Sequence, residues 1–310
     1  ASRSSLPPEA ANIPWVDTHQ HTHTLSWSDR EAFALSGAEA IVAIAASYYW
    51  APYRPVEPDD VRFLWDDAVR RTNHIDSAHS FDQYLAVAVH TWSPVVDYED
   101  LIEVLPKYCE LDQVVAVGET GIESVQHTSP WPVEEQREVV AAQMDVARTM
   151  DLPFILHTPG GSDKGSLPPW HGDRYEEPDH CFAEPVLEGD DQKLQATEIA
   201  VELADAVGLP DRRLVVDHAD ASIVPFVMEN TDAYLSFTLS WFRSVDIGDV
   251  AAAVETYGPD RVMIDTDLLG PMQGDPYTMK RAIFDLLRAG PDPGTDRQIV
   301  YDNPKTVFDI

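Results

Sequence analysis

The sequence predicts an α/β protein: a closed (β/α)8 TIM barrel formed by a single domain, with long loops after some strands. Three observations predict it. Eight short apolar runs recur along the 310 residues, amphipathic stretches separate several of them, and almost every run ends in a histidine or an acidic residue. Parallel strands covered by helices produce this alternation. The length fits as well, because one closed barrel typically takes about 250 residues and tolerates insertions.

The eight runs define the expected strands in chain order. They are WVDTHQH (15–21), AIVAIAAS (40–47), YLAVAVHT (84–91), VVAVGETG (114–121), PFILHT (153–158), LVVDHA (214–219), AYLSFTLS (233–240) and RVMIDTD (261–267). The clearest helix is PVEEQREVVAAQMDVARTMD, which opens with a proline and glutamates and carries apolar residues at helical spacing. We expect residues 1–14 to form an N-terminal extension and residues 15–310 to form the barrel domain.

Acidic residues dominate the charge of the chain. They outnumber basic residues 54 to 21, the formal net charge is -33, and only five residues are lysines. Because the acidity is dispersed, it is typical of proteins from salt-loving archaea, whose surfaces depend on screening by salt. The alternative is an ordinary acidic cytosolic protein. The apolar runs are too short to cross a bilayer, and the N-terminus has no signal-peptide pattern, so we expect a soluble cytoplasmic protein without membrane contact.

The ends of the predicted strands carry the chemically active residues. Catalytic groups of a (β/α)8 barrel come from the C-terminal ends of its strands. The residues found at these ends are His19, His21, His90, Glu119, His157, His218 and Asp267. Nitrogen and oxygen donors of this kind bind Zn²⁺, Mn²⁺ or a similar divalent ion, so the ligand types alone leave the metal open.

The first strand, in WVDTHQHTHTLSW, places two histidines on one face. Residues two apart in a strand point the same way, so His19 and His21 both aim into the barrel mouth. Asp17 has the same parity one layer deeper, where we expect it to orient a histidine. His23 follows the strand, and we assign it to a loop. A His-x-His pair alone is more often a hydrogen-bonded pair than a metal site, and the acids and histidines on other strands favour the metal.

Several motifs together resemble the TatD-like metal-dependent hydrolases of the amidohydrolase superfamily. The motifs are DTHQH, VGETGIE, EEQREVVAAQMDVARTMDLPFILHT, DHAD, IDTD and the C-terminal NPKTVF, which span essentially the whole chain in the order of the family. The resemblance implies a centre with two divalent ions. Its implied ligands are His19, His21, Glu119 and Asp267 for one ion, and Glu119, His157 and His218 for the other. Glu119 would be the bridging carboxylate.

Two departures from the family pattern leave the substrate open. Family members that cut DNA carry a Gly-x-His-Pro-His element on the third strand, whereas AVHTWSP keeps only His90. The usual Glu-Thr-Asp followed closely by proline is replaced by IDTDLLGP, in which Asp267 keeps its place. Asp265 is either a support for a ligand or a buried hydrogen-bonded carboxylate.

Two long loops are expected to shape the pocket. One is SYYWAPYRPVEPDD after the second strand, and the other, about 158–195, is either a lid or a solvated insertion. Cations are scarce in this chain, so those of the second loop are candidates to contact an anionic substrate. Aromatic residues of the first loop form a substrate wall or pack the rim. The predicted substrate-binding residues are Lys164, Arg174, Lys193, Tyr49 and Trp50.

These observations predict a metal-dependent hydrolase that cleaves a phosphoester, amide or lactone bond of a small, anionic substrate. Two divalent ions are expected, zinc first, with manganese or magnesium as alternatives. The predicted catalytic residues are Asp267 as proton acceptor, Glu119, and His90 beside the leaving group. A TatD-like deoxyribonuclease is the alternative, disfavoured because nucleic-acid binding draws on positive charge. A non-catalytic metal-binding or assembly protein is a second alternative.

Overall fold

Eight parallel strands form one sheet whose spatial order follows the sequence order. The computed structural model describes residues 11–22, 25–46, 55, 57–92, 95, 97–123, 131–159, 187, 191–239, 245–268 and 275–310. The strands are β1 (Trp15–Gln20), β2 (Ala38–Ala46), β3 (Asp82–Ala88), β4 (Val114–Gly121), β5 (Phe154–His157), β6 (Leu214–Val216), β7 (Tyr234–Thr238) and β8 (Val262–Asp265). The predicted (β/α)8 barrel is therefore confirmed.

One helix follows each strand in the described part of the chain. These helices are α1 (Trp27–Ser36), α2 (Pro58–Ala78), α3 (Glu99–Cys109), α4 (Val133–Met150), α5 (Gln192–Val207), α6 (Val224–Asn230), α7 (Ile247–Tyr257) and α8 (Thr278–Ala289). The C-terminal segment adds α9 (Pro293–Arg297), a π-helical turn (Gln298–Asp302) and α10 (Asn303–Phe308). Helix α4 occupies the helix predicted from the sequence. Helix α5 begins inside the expected loop 158–195, so the last residues of that range are helical.

Backbone hydrogen bonds close the barrel between its first and last strands. The amide of Asp267 donates to the carbonyl of His19 at 3.0 Å, and the amide of His21 donates to the carbonyl of Leu268 at 3.0 Å. Gln20 forms a parallel bridge with Leu268. The seam thus joins β1 to the chain just after β8, at the C-terminal ends of both strands.

The buried side chain of Asp17, in β1, reinforces this seam. Its carboxylate accepts hydrogen bonds from the amide of Thr266 at 3.2 Å and from the Thr266 hydroxyl at 2.6 Å. The Gln20 side chain donates to it at 2.6 Å. Asp17 is fully buried, and burial raises its pKa to about 6 although these hydrogen bonds lower it. Asp17 therefore ties β1 to the end of β8.

Two hydrophobic layers hold the barrel together. Apolar side chains between the strands and the surrounding helices form the outer layer, to which Trp15, Trp65 and Phe154 contribute. Smaller residues fill the interior, and these are Val42, Ile44, Ala86, Ala88, Ala116, Ile155, Val215 and Met263. A filled interior makes the barrel a packed core and leaves its C-terminal mouth for chemistry.

Two glycines of β4 permit the close approach of β5. A Cβ atom added to Gly118 would lie 2.6 Å from the Cβ of Ile155, and one added to Gly121 would lie 2.1 Å from the carbonyl oxygen of His157. Only a residue without a side chain fits such contacts with backbone. The two glycines flank Glu119, so they bring it to the same level as His157.

We predict that Gly121→Ala lowers the free energy of unfolding by about 3 kcal/mol, because the methyl group must displace the His157 backbone. Gly208→Ala is the control: Gly208 is left-handed with φ 76, but its Cβ would meet only Arg148 Cδ, at 3.8 Å. That change should cost about 1 kcal/mol through the backbone alone. Urea denaturation of both variants measures the difference. Equal losses would contradict the close approach of β4 and β5.

Candidate active site

The predicted strand-end residues converge in one buried cluster at the C-terminal mouth of the barrel. The side chains brought together are His19, His21, His90, Glu119, His157, His218 and Asp267. Each residue is at most 8% exposed. They come from six different strand ends, so closure of the barrel assembles the cluster from residues more than 240 positions apart.

Glu119 lies at the centre of the cluster. Its Oε2 atom is 3.3 Å from Nε2 of His19, and its Oε1 atom is 2.8 Å from Nε2 of His218. Oε1 also contacts Nδ1 of His157. The two oxygens of one carboxylate therefore face histidines on opposite sides of the barrel mouth, which is the arrangement of a bridging ligand.

His19, His21 and Asp267 form one side of the cluster. Nε2 of His21 is 2.9 Å from Oδ1 of Asp267, and Nε2 of His19 is 3.6 Å from the same oxygen. The two Nε2 atoms are 3.3 Å apart. One donor atom from each residue lies within 4.8 Å of the others, so these three residues can hold one metal ion.

A second partner fixes the rings of His19 and His218. Nδ1 of His19 contacts Oδ2 of Asp217, a residue that directly precedes His218. Nδ1 of His218 is 2.6 Å from the hydroxyl of Thr238. The Asp217 contact also corrects the expectation for Asp17, which accepts a hydrogen bond from the backbone amide of His19, at 3.3 Å, rather than from its ring. The other hydrogen bonds of Asp17 belong to the barrel seam.

Glu123 plays the corresponding part for His157. Its Oε1 atom is 2.6 Å from Nε2 of His157, whose Nδ1 faces Glu119. Outer carboxylates of this kind hold a metal-binding histidine in one tautomer and raise its basicity. Neither Glu123 nor Asp217 was predicted from the sequence, although the quoted motifs VGETGIE and DHAD contain both.

The tautomers set by these partners make the cluster suitable for a cation. Because Asp217 accepts a hydrogen bond from Nδ1 of His19, the lone pair of that ring lies on Nε2, toward Glu119 and His21. In the same way Glu123 directs the lone pair of His157 toward Glu119. Lone pairs and a carboxylate then converge on one space, where they repel each other unless a positive charge lies between them. The donor set therefore fits divalent ions.

The pKa shifts of the cluster residues also indicate that positive charge stabilises the site. Burial lowers the pKa of His157, but the charges of Glu119 and Glu123 outweigh it and raise the pKa to about 9. Burial likewise raises the pKa of Glu119, yet the charges of His19 and His157 hold it well below its usual range. The pKa of Asp267 is also lowered, because His19 and His21 outweigh its burial. The carboxylates at the centre are thus ionised.

Two residues of the cluster adopt left-handed backbone conformations that non-glycine residues rarely use. His218 has φ 56 and Asp267 has φ 45. Each lies two residues beyond the end of its strand, β6 or β8, in the turn that leads away from the barrel. Such conformations cost about 1–3 kcal/mol and persist where the surrounding structure imposes them.

Helix α4 anchors two of the strand ends through buried glutamines. The side chain of Gln143 accepts from the amide of Val89 at 2.8 Å and donates to its carbonyl at 3.0 Å. The side chain of Gln136 accepts from the amide of Glu123 at 2.7 Å. Both glutamines are fully buried. They fix the backbone next to His90 and at Glu123.

His90 lies beside His157 with its ring centroid 5.0 Å away. Nδ1 of His90 accepts a hydrogen bond from the amide of Trp92 at 3.1 Å, which places the ring hydrogen on Nε2. Burial, followed by the charge of His157, lowers the pKa of His90 to about 3. The ring is therefore neutral, and it acts as a hydrogen-bond donor rather than a charged acid.

Asp265 lies below the cluster as a buried carboxyl group. Its Oδ2 atom contacts the hydroxyl of Ser236, and burial together with the charge of Asp217 raises its pKa well above the usual range. Of the two sequence interpretations, the buried hydrogen-bonded carboxylate agrees with the contact to Ser236. The nearness of Asp265 to Asp217 also links it to the residue that supports His19.

Lys193 is a buried residue of α5, although the sequence suggested a cation in a substrate-binding loop. It is 5% exposed, and Nζ donates to the carbonyl of His218 at 2.5 Å. The other residues predicted for the two loops, together with the loop histidine of the first strand, lie outside the described residues. These are His23, Tyr49, Trp50, Lys164 and Arg174. Their predicted roles remain predictions.

Comparison with known proteins identifies relatives of the same kind. A family model described as TatD related DNase matches residues 16–168. An uncharacterized metal-dependent hydrolase of Methanocaldococcus jannaschii is 24% identical over 293 residues, which cover 94% of this chain and 99% of that protein. The similarity therefore extends well beyond the segment that the family model matches.

Solved structures show the same fold. A TatD-like protein from Archaeoglobus fulgidus matches with a TM-score of 0.66 and 21% identity, over 96% of this chain and 100% of that one. A phosphotriesterase homology protein from Escherichia coli, solved with phosphate in its active site, matches with a TM-score of 0.63 and 14% identity, over 96% and 99% of the two chains. The barrel is thus shared along the whole length of both proteins.

We predict that Glu123→Gln weakens the binding of Zn²⁺ about 10–100-fold, because the amide no longer holds His157 as a carboxylate does. Titration calorimetry on metal-free protein measures the affinity. Glu110→Gln is the matched control, since Glu110 is an exposed residue that caps the end of α3. Unchanged affinity in Glu123→Gln would show that this contact does not support metal binding.

Proposed function

We propose that this chain is a TatD-like metal-dependent hydrolase and that it uses two divalent ions to cleave a small anionic substrate. Glu119 carries the proposal, because its Oε1 and Oε2 atoms face different histidines. His19, His21 and Asp267 would complete one ion site. His157 and His218 would complete the other.

The nature of the ligands supports zinc as the first choice of metal, with manganese or magnesium as alternatives. Four of the six proposed ligands are histidines, and imidazole suits zinc better than it suits magnesium. Bound divalent ions would lower the pKa of a water molecule and polarise the bond to be cleaved.

The protein's own residues would supply proton transfer and orientation. We assign the carboxylate of Asp267 to accept a proton from the attacking water, because it is ionised and lies at the mouth of the barrel. The ring hydrogen on Nε2 of His90 would donate a hydrogen bond toward the leaving group. Glu119 would hold both ion sites at a fixed separation.

A small anionic phosphoester, amide or lactone is the substrate class that we propose. A formal net charge of -33 offers a polynucleotide little of the positive charge that nucleic-acid binding normally uses. We assign Lys164 and Arg174 to contact the anion, and Tyr49 and Trp50 to line the pocket. The match to the family model described as TatD related DNase favours deoxyribonuclease activity as the second candidate.

We also propose a salt-rich cytoplasm as the working environment. The dispersed acidic charge supports it, since mutual repulsion of so many carboxylates is relieved by screening. In the described part of the chain, none of the helices has the length and apolar character needed to span a bilayer. Assays are therefore best run in concentrated salt.

We predict that chelation abolishes hydrolysis and that activity returns when about two divalent ions per chain are restored. Elemental analysis of protein purified in high salt gives the ion content. Activity is followed with p-nitrophenyl phosphodiesters, lactones and single-stranded DNA. Turnover of DNA alone would favour the deoxyribonuclease. Bound metal without turnover of any substrate would favour the non-catalytic alternative, and no bound metal would refute the site assignment.

We predict that Asp267→Asn lowers kcat about 10²–10⁴-fold while the protein retains bound metal, because asparagine keeps an oxygen ligand but accepts a proton poorly. Asparagine also tolerates the left-handed conformation of this residue. Asp151→Asn is the control, since Asp151 is exposed and has a similar φ of 54 at the end of α4. Normal kcat in Asp267→Asn would show that another group accepts the proton.

A further inference from the structure

We propose that Lys193 is a positioning residue that holds the His218 turn in the geometry needed for metal binding. The inference rests on the proposed metal centre and assigns a new role within it. Lys193 lies in the first turn of α5, and its side chain is almost completely buried. Burial of a lysine is costly unless its ammonium group is paired and hydrogen-bonded, so its partners indicate its role.

The ammonium group of Lys193 contacts two residues of the segment that carries His218. Nζ donates to the His218 carbonyl at 2.5 Å and lies 3.1 Å from Oδ2 of Asp220. The ion pair therefore joins α5 to the turn after β6.

The carbonyl that Lys193 binds belongs to a residue in a strained conformation. His218 has φ 56, a conformation that a non-glycine residue keeps only when its surroundings impose it. Thr158 assists, because its hydroxyl donates to the carbonyl of Asp217 at 2.5 Å. Lys193 and Thr158 together fix two consecutive carbonyls of the turn.

Fixing this turn also fixes the His218 ring. Nε2 of His218 reaches Oε1 of Glu119 at 2.8 Å, while Nδ1 reaches Thr238. A small rotation of the turn would break one of these contacts. Lys193 would thus act through His218, and it would affect the ion shared by His157 and His218 more than the ion held by His19 and His21.

The first test is metal binding by Lys193→Met, which keeps an unbranched stem of similar length and removes the ammonium group. In titrations of metal-free protein with Co²⁺, we expect one ion to bind about 10–100-fold more weakly, with a changed absorption spectrum, and the other to bind as in wild type. Lys305→Met, a lysine substitution in α10, is the matched control. Equal weakening of both ions would overturn the selective role.

Kinetics separate this role from direct contact with the substrate. A positioning residue predicts losses in kcat or KM that saturating metal reverses, because its effect passes through the ion. A residue that binds the anion predicts a higher KM that saturating metal does not lower, with unchanged metal affinity, and that result would overturn the proposal. Asp220→Asn should weaken the same ion, and the double variant should show less than the sum of the two single effects.

Hydrogen exchange tests the positioning role without any metal. In Lys193→Met we expect the amides of residues 217–220 to exchange at least about tenfold faster in metal-free protein, whereas the amides of α4 keep their wild-type rates. If wild-type protein binds no metal, the proposed function fails, but this measurement still decides whether Lys193 holds the turn. Unchanged exchange at 217–220 would refute it.

Discussion

The closure of the barrel between β1 and β8 is the constraint on which the active site depends. The backbone bonds of the seam pair His19 with Asp267 and His21 with Leu268. The same residues that close the barrel therefore supply one half of the cluster. Asp17 strengthens the seam through Thr266, two residues below the mouth. Stability and chemistry are consequently coupled at this point, since any loosening of the seam also separates His21 from Asp267.

A second constraint is electrostatic. Four acidic side chains, those of Glu119, Glu123, Asp217 and Asp267, lie buried around four histidine rings. Buried carboxylates need positive charge, and among the described residues that contact these four it comes from protons on histidine. Divalent ions would satisfy the same need more completely. The outer contacts to Asp217 and Glu123 then determine which nitrogen of each ring faces inward.

The sequence predicted the features that repeat with strand periodicity. It did not predict side-chain contacts that cross the barrel between distant strand ends. The alternation of apolar runs with amphipathic stretches and the residues that end each run are local properties of the sequence. The fold and the convergence of Glu119, His157 and His218 could therefore be predicted from them. The partner of His19 could not, because Asp217 is 198 positions away and its side chain reaches a different strand end. Asp17 was expected to orient the His19 ring because strand parity places it one layer below His19. In the structure its carboxylate instead accepts hydrogen bonds from Thr266 at the barrel seam. Lys193 was assigned to a loop because the connection after the fifth strand was expected to extend to about residue 195, whereas α5 begins at Gln192.

The position of Lys193 changes where the attraction for an anionic substrate must originate. A chain with 21 basic and 54 acidic residues repels anions at long range, and Lys193 is committed to His218 and Asp220. Concentrated salt screens the repulsion over roughly 3 Å at 1 M, so the surface charge ceases to matter beyond contact distance. Close to the centre, bound divalent ions would provide the dominant positive charge. Substrate affinity and catalysis would then depend on the same ions, so the loss of a ligand such as His218 would impair both.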